Sequence, residues 1–177
     1  MISYGLFEFA APPGTGADWM TSALACAGFR RYLPSSAYDP FPVVGSSLLR
    51  VSTVSHPCDW LGRYFLARWT LSSYVTEVLE AEKEAAFAKF VADYLDHYPG
   101  RVGKTFEAYK ADLFIRIEDL PEAFYEFMDS LRVPRSLYNH LIRKPDFQKC
   151  LPRWDPELRR KVCQAEMKML EDFDYHC

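Results

Sequence analysis

The chain lacks the signals that mark nucleic-acid-binding, secreted and membrane proteins. Its 21 Lys and Arg are outnumbered by 24 Asp and Glu, which gives a net charge of −3, so no positive field attracts nucleic acid or an anionic membrane surface. No apolar run is long enough to cross a bilayer, and no basic segment precedes a signal-like apolar stretch. We therefore expect a cytoplasmic protein that binds neither nucleic acid nor membrane.

Cysteine and histidine are too few and too scattered to indicate a metal site. The five cysteines show no CxxC pair and no regular spacing, so they are predicted to be reduced thiols. His56 lies close to Cys58, and His176 precedes Cys177, but no defined loop separates these two pairs. The sequence therefore predicts no bound metal.

Hydrophobic and aromatic residues are plentiful, and they indicate an ordered core. They make up 49% and 16% of the 177 residues, and 25% of the residues are charged, a balance typical of globular proteins. Neither an internal repeat nor a flexible linker interrupts the pattern. The length predicts one domain that spans residues 1–177.

A short apolar run that breaks into a Pro/Gly turn organises the rest of the chain. Residues 6–11 suit a buried strand, Pro12 to Gly16 cannot continue it, and apolar residues from Trp19 to Ala27 recur at helical spacing. A loop that enters a helix N-terminus presents unpaired backbone N–H groups, which favour a phosphate. Such a loop either holds a phosphate-bearing cofactor or carries its glycines only for the geometry of the junction.

A second strand, turn and helix follow the same plan. Residues 48–55 predict a strand that ends at His56 and Pro57, and Asp59 is predicted to cap the next helix. Further segments predict a short strand over 29–33, a helix over 72–98, a strand over 111–117, a helix around 124–131 and a last helix from 155 to 175 that begins with an Asp155 cap and Pro156.

The alternation of strands and helices predicts the fold class. It indicates an α/β domain of three layers, α/β/α, with a mainly parallel central sheet and a ligand at the carboxyl ends of its strands.

One short motif resembles part of a nucleotide-binding P-loop but is incomplete. Gly103-Lys104-Thr105 matches the end of the P-loop signature, but Tyr98 occupies the position of its first glycine. A P-loop NTPase is therefore disfavoured.

Five segments, taken in order, resemble the sulfotransferases that use 3'-phosphoadenosine 5'-phosphosulfate (PAPS). The family's P-K-S-G-T-T-W loop corresponds to 13–19, and its R-N-P-x-D turn corresponds to 55–59. Its Y-E-D-L strand end, R-K-G loop and closing D-F-x-x-Y helix correspond to 117–120, 143–145 and 155–175. The resemblance implies a P-loop NTPase-like sulfotransferase topology over nearly the whole chain.

The resemblance also implies an activity and a set of site residues. The activity would be transfer of a sulfuryl group from PAPS to a hydroxyl or amine of a small-molecule or carbohydrate acceptor. His56 is the best available general base on pKa grounds, with Asp39 and Arg31 as alternatives. The residues that would contact the cofactor are Pro13, Gly14, Thr15, Gly16, Ala17, Asp18, Trp19, Ser55, Arg63, Arg143 and Lys144.

Three departures from the family pattern leave a second interpretation open. Gly14 stands where the family has a lysine, Asp18 adds a carboxylate that opposes a bound anion, and Ser55 and Arg63 have exchanged the family's arginine and serine. Arg63 either reaches the 3'-phosphate or is an ordinary surface residue of its helix. The chain is accordingly either an active transferase or a catalytically silent relative that keeps the fold for binding.

Overall fold

The computed structural model describes residues 1–31, 36–42, 47–72, 80–147 and 151–177, and these form two compact units. The first unit comprises Met1–Ser55 with Ala108–Phe147, and the second comprises His56–Glu107 with Gln148–Cys177. In the described residues, no helix has both the length and the apolar character that crossing a membrane requires.

A four-stranded sheet forms the first unit's framework within the described residues. Its strands lie in chain order: β1 (Ile2–Ser3), β2 (Phe7–Phe9), β3 (Leu49–Val54) and β4 (Leu113–Arg116). β1 is antiparallel to β2, whereas β2, β3 and β4 run parallel. The prediction of an α/β fold with a mainly parallel sheet is confirmed, and β1 was not predicted.

One face of this sheet packs against two helices, α1 (Ala17–Cys26) and α5 (Glu122–Ser130). Side chains alternate along each strand, so residues paired across the strands share a face. Phe9 pairs with Val51, and both are fully buried. They join Met20 of α1 and Phe124 of α5 in one apolar cluster.

The second unit is built from helices: α2 (Pro57–Ser72), α3 (Glu80–His97), α4 (Arg101–Glu107), α6 (Pro156–Ala165) and α7 (Met167–Asp172). α2, α3 and α6 pack together, with Phe87 edge-to-face on Trp154 at 4.9 Å between ring centres. α6 begins as predicted, because the Asp155 carboxylate accepts hydrogen bonds from the amides of Glu157 (3.0 Å) and Leu158 (2.9 Å).

Three predicted boundaries are wrong. Asp59 is not a cap, because α2 already begins at Pro57. Proline is tolerated at the first position of a helix, so the helix starts two residues earlier than predicted. Residues 29–31 are not a strand, and 32–33 lie outside the described residues. The last helix divides at Glu166, which leaves helical geometry and turns its carboxylate to the amides of Val102 and Gly103.

The helix predicted over 72–98 is present from Glu80 to His97. The part of that prediction that falls on 73–79 lies outside the described residues.

Candidate functional site

The loop between β2 and α1 turns the chain through two glycines. Gly14 and Gly16 have φ of 82° and 73°, in the left-handed region that costs an L side chain about 1–2 kcal/mol. The amide of Ala10 still bonds to the carbonyl of Val51 at 3.1 Å, so the loop leaves the sheet directly from the carboxyl end of β2.

Two buried threonines hold the middle of this loop. The Thr15 hydroxyl donates to the Pro12 carbonyl at 2.5 Å, and Thr53 on the neighbouring strand β3 donates its hydroxyl to Thr15 at 2.9 Å. Both threonines are fully buried. The loop's shape is therefore fixed by a hydrogen-bond chain rooted in the sheet rather than by the glycines alone.

The N-terminus of α1 receives no hydrogen bond from its cap residue's side chain, since that residue is Gly16. The first bond of the helix runs from the Met20 amide to the Gly16 carbonyl at 2.9 Å. The amides of Ala17, Asp18 and Trp19 precede that bond and have no helix carbonyl within reach. Together with the positive end of the helix dipole, they favour an anion.

Asp18 places a negative side chain in the same helical turn. Its carboxylate accepts a hydrogen bond from the Tyr38 hydroxyl at 3.0 Å. Burial, followed by this bond, raises the pKa of Tyr38 above its ordinary value. Asp18 stabilises the helix start, but it repels any anion that binds there.

The segment that follows residue 142 crosses the start of α1. The Trp19 indole donates to the Arg143 carbonyl at 2.9 Å. A Cβ added to Gly16 would lie 2.8 Å from Cζ of Phe147, so the absence of a side chain at position 16 lets this ring approach the loop. The structure thus brings the predicted residues Trp19, Gly16 and Arg143 together.

Arg143 and Lys144 carry the two positive charges of this segment. Both are exposed, and neither forms an ion pair with another described residue. The backbone bond to Trp19 tethers Arg143 at its carbonyl and leaves its guanidinium in solvent.

Ser55 directly follows β3 and is fully buried. Its hydroxyl donates to the Glu118 carboxylate at 3.1 Å, just after β4. Arg63 lies in the second turn of α2, is partly buried and belongs to the second unit. The predicted joint contact of Ser55 and Arg63 with one phosphate stays a prediction.

His56 belongs to the second unit, and both nitrogens of its ring are engaged. Nδ1 accepts from the Cys58 amide at 3.2 Å, and Nε2 lies 3.1 Å from the carbonyl oxygen of His176, to which its N–H donates. The ring is buried and packs edge-to-face on Tyr175. A general base needs one of these nitrogens released, and the base assignment stays a prediction.

The prediction that the cysteines are reduced thiols is wrong for two of them. Cys163 and Cys177, 14 residues apart, form a disulfide. Cys26 and Cys58 are free, and burial raises the pKa of the Cys58 thiol to about 12. Cys150 lies outside the described residues. The ligand atoms of His56, Cys58 and Cys163 lie within 4.8 Å of one another. The sequence did not predict this cluster, because Cys163 is far from the other two residues along the chain.

Sequence reasoning missed three residues that shape the first unit's loops. Thr53 supports Thr15, Glu118 accepts from Ser55, and Phe147 covers Gly16. Glu118 stood within a quoted motif, and Thr53 is a polar residue near the end of a predicted buried strand. Phe147 offered no signal, because its partner lies 131 positions earlier.

Comparison with known proteins gives no relative: no family model, no curated protein and no solved structure matches this chain.

Proposed function

We propose that this chain is a sulfotransferase-like protein that binds PAPS at the β2–α1 loop and transfers its sulfuryl group to a hydroxyl or amine. The ordered resemblance of five segments motivates the proposal. The observation that carries it is the α1 start: a glycine cap, two left-handed glycines and three amides beyond the helix's own carbonyls, at the carboxyl end of a strand in a parallel sheet.

The loop would hold the phosphosulfate end of PAPS through backbone amides, but it lacks the lysine that the family has at the position of Gly14. Backbone amides from Ala17 to Trp19 would hold anionic oxygens, and Thr15 would keep the loop rigid through Thr53. Gly14 supplies no cation. Arg143, anchored on Trp19, offers a replacement because its guanidinium is exposed and its backbone is fixed at the loop.

Bound PAPS would donate a sulfuryl group, whose negative charge is shared by several oxygens. In the proposed transfer, the acceptor oxygen or nitrogen would bond to sulfur while the sulfur–oxygen bond to phosphate breaks. The products are the sulfated acceptor, adenosine 3',5'-bisphosphate and one proton. The chain would contribute positioning and hydrogen-bond donors, and His56, where a ring nitrogen is released, would take the proton.

A catalytically silent binding protein is the second candidate. Gly14 replaces the family's cation, Asp18 opposes the anion, and both nitrogens of His56 are hydrogen-bonded. Loss of one transition-state cation costs on the order of 10² to 10³ in rate. Nucleotide binding without transfer to a broad panel of acceptors would favour this candidate.

Calorimetry with adenosine 3',5'-bisphosphate tests the binding step. We expect saturable binding with one site per chain. Absence of heat at millimolar nucleotide would reject both candidates. Stronger stabilisation by ATP with Mg²⁺ than by the bisphosphate would reject the family assignment in favour of an NTPase.

Two arginine variants locate the phosphates. Arg143→Ala and Arg63→Ala should each weaken nucleotide binding by roughly 1.5 to 3 kcal/mol where the guanidinium contacts phosphate. Arg160→Ala on the exposed side of α6 is the matched control and should leave affinity unchanged. An Arg143 variant that binds like this control would remove the residue from the site.

A further inference from the structure

Four potential zinc ligands converge in the second unit. His56 stands at the start of α2, Cys58 is the second residue of that helix, Cys163 lies on α6, and Cys177 is bonded to Cys163. The ligand atoms of the first three lie within 4.8 Å of one another, and all three residues are buried. Two chain segments that are distant in sequence thus meet in one soft-donor cluster.

We propose that the reduced form of this unit binds one Zn²⁺ through His56, Cys58, Cys163 and Cys177. Three sulfurs and one imidazole nitrogen are a donor set of structural zinc sites, and thiolates select this metal over hard cations. Tetrahedral ligands at about 2.3 Å from zinc stand roughly 3.8 Å apart. For His56, Cys58 and Cys163, a contraction of about 1 Å from the present 4.8 Å limit gives this spacing, and the Cys177 thiol would join them once its bond to Cys163 opens.

The environment of His56 matches that of a metal-bound histidine. A ligating imidazole almost always donates its other N–H to a carboxylate, a carbonyl or water, which fixes the ring and its tautomer. Here Nε2–H donates to the His176 carbonyl at 3.1 Å. Nδ1 is then the unprotonated nitrogen, and zinc would replace the hydrogen bond that it now accepts from the Cys58 amide, whose nitrogen lies 3.2 Å away.

Burial opposes a thiolate at Cys58 in the metal-free chain, and the charge of a bound Zn²⁺ would offset that cost. Cys58 lies in the first turn of α2, where the helix dipole favours negative charge. His176 and Cys177 are consecutive, so the residue that orients the imidazole also places the fourth ligand.

Zinc and the disulfide exclude each other, because the disulfide removes two of the four ligands. A dithiol reductant opens the Cys163–Cys177 bond: two thiols form on the chain, and the reductant leaves as its own disulfide. Zn²⁺ then displaces one proton from each of three thiols, and the protons go to solvent. Oxidation reverses the sequence and releases the metal.

The experiment uses the full chain, reduced with a phosphine, freed of metal with a chelator and titrated with Zn²⁺ or Co²⁺. We expect one metal per chain, release of about three protons per zinc, and the intense visible absorption of tetrahedral cobalt–thiolate. The oxidised chain should bind zinc at least tenfold more weakly. Absence of stoichiometric binding to the reduced chain, or an octahedral cobalt spectrum, would overturn the proposal.

Variants separate this site from other thiols. Cys58→Ala should weaken zinc binding by at least tenfold while the Cys163–Cys177 disulfide still forms, and the thermal unfolding of its oxidised form checks its fold. Cys26→Ala, an exposed free cysteine of α1, is the matched control and should bind zinc as the wild type does. Equal zinc affinity of reduced wild type and Cys58→Ala would refute the site, as would an unchanged affinity in His56→Gln.

Discussion

Two helix starts in this chain carry glycine-rich sequences, and they are satisfied in opposite ways. At α4, the buried carboxylate of Glu166 accepts from the Gly103 amide at 2.9 Å and the Val102 amide at 3.3 Å. At α1, the Gly16 cap brings no side chain to the first amides. At α4 a carboxylate of the chain is hydrogen-bonded to the first amides, whereas at α1 the Asp18 carboxylate lies in the first turn and no side chain of the cap residue bonds to the amides.

The contrast teaches that a motif's letters do not decide whether a phosphate can bind. Gly103-Lys104-Thr105 is closer to a nucleotide-binding signature than residues 13–19 are, yet the amides of Gly103 and of the preceding Val102 donate to Glu166. A cavity of about 290 Å³ beside it is lined by three acidic and two basic side chains, and one of the lysines, Lys168, is already paired with Glu107 and Asp172, so its lining has no excess of positive charge. The occupied amides give a physical reason for setting this motif aside.

Glu166→Ala should give the largest loss of stability, because it removes the internal anion from the start of α4. The carboxylate accepts hydrogen bonds from Tyr94, Val102 and Gly103, and its loss leaves buried donors unpaired. We expect the free energy of unfolding to fall by about 3 kcal/mol, measured by urea unfolding. Added sulfate should restore part of the loss, since the vacated amides would then face an anion site.

The control for this variant is Glu107→Ala. Glu107 is exposed and pairs with Lys168, a surface contact worth about 0–1 kcal/mol. A Glu166→Ala loss no larger than that of Glu107→Ala would mean that the α4 start does not need its internal anion.

Gly16→Ala should give the next effect and would test the α1 start. Its φ of 73° costs an alanine about 1–2 kcal/mol, and the new Cβ meets the Phe147 ring at 2.8 Å. Gly28→Ala is matched, because its φ is 86° and nothing lies within 4 Å of its Cβ. We expect Gly16→Ala to lose about 1 kcal/mol more than Gly28→Ala. Equal losses would mean that Phe147 yields without cost.

Much of the first unit could be predicted from its sequence, because its signals are local. The apolar runs of β2 and β3 and the turn that ends at Gly16 depend on neighbours along the chain, as does the Asp155 cap in the second unit. What escaped prediction depends on distant partners. Phe147 reaches Gly16, Glu166 interrupts a helix to reach Gly103, and Cys163 meets His56 only after folding.

The smallest expected effect sharpens the same comparison through charge. Asp18→Asn removes a carboxylate from the first turn of α1, so the unfolding free energy should fall by about 0.5 kcal/mol while bisphosphate binding improves roughly two- to fivefold. Stability and affinity change in opposite directions because the positive end of the helix dipole attracts both the Asp18 carboxylate and the anionic ligand, and these two repel each other. Urea unfolding and calorimetry measure the two quantities on one sample. Glu122→Gln, in the first turn of α5, should lose similar stability without changing nucleotide affinity. A fall in both quantities for Asp18→Asn would mean that the carboxylate orders the loop more than it repels the anion.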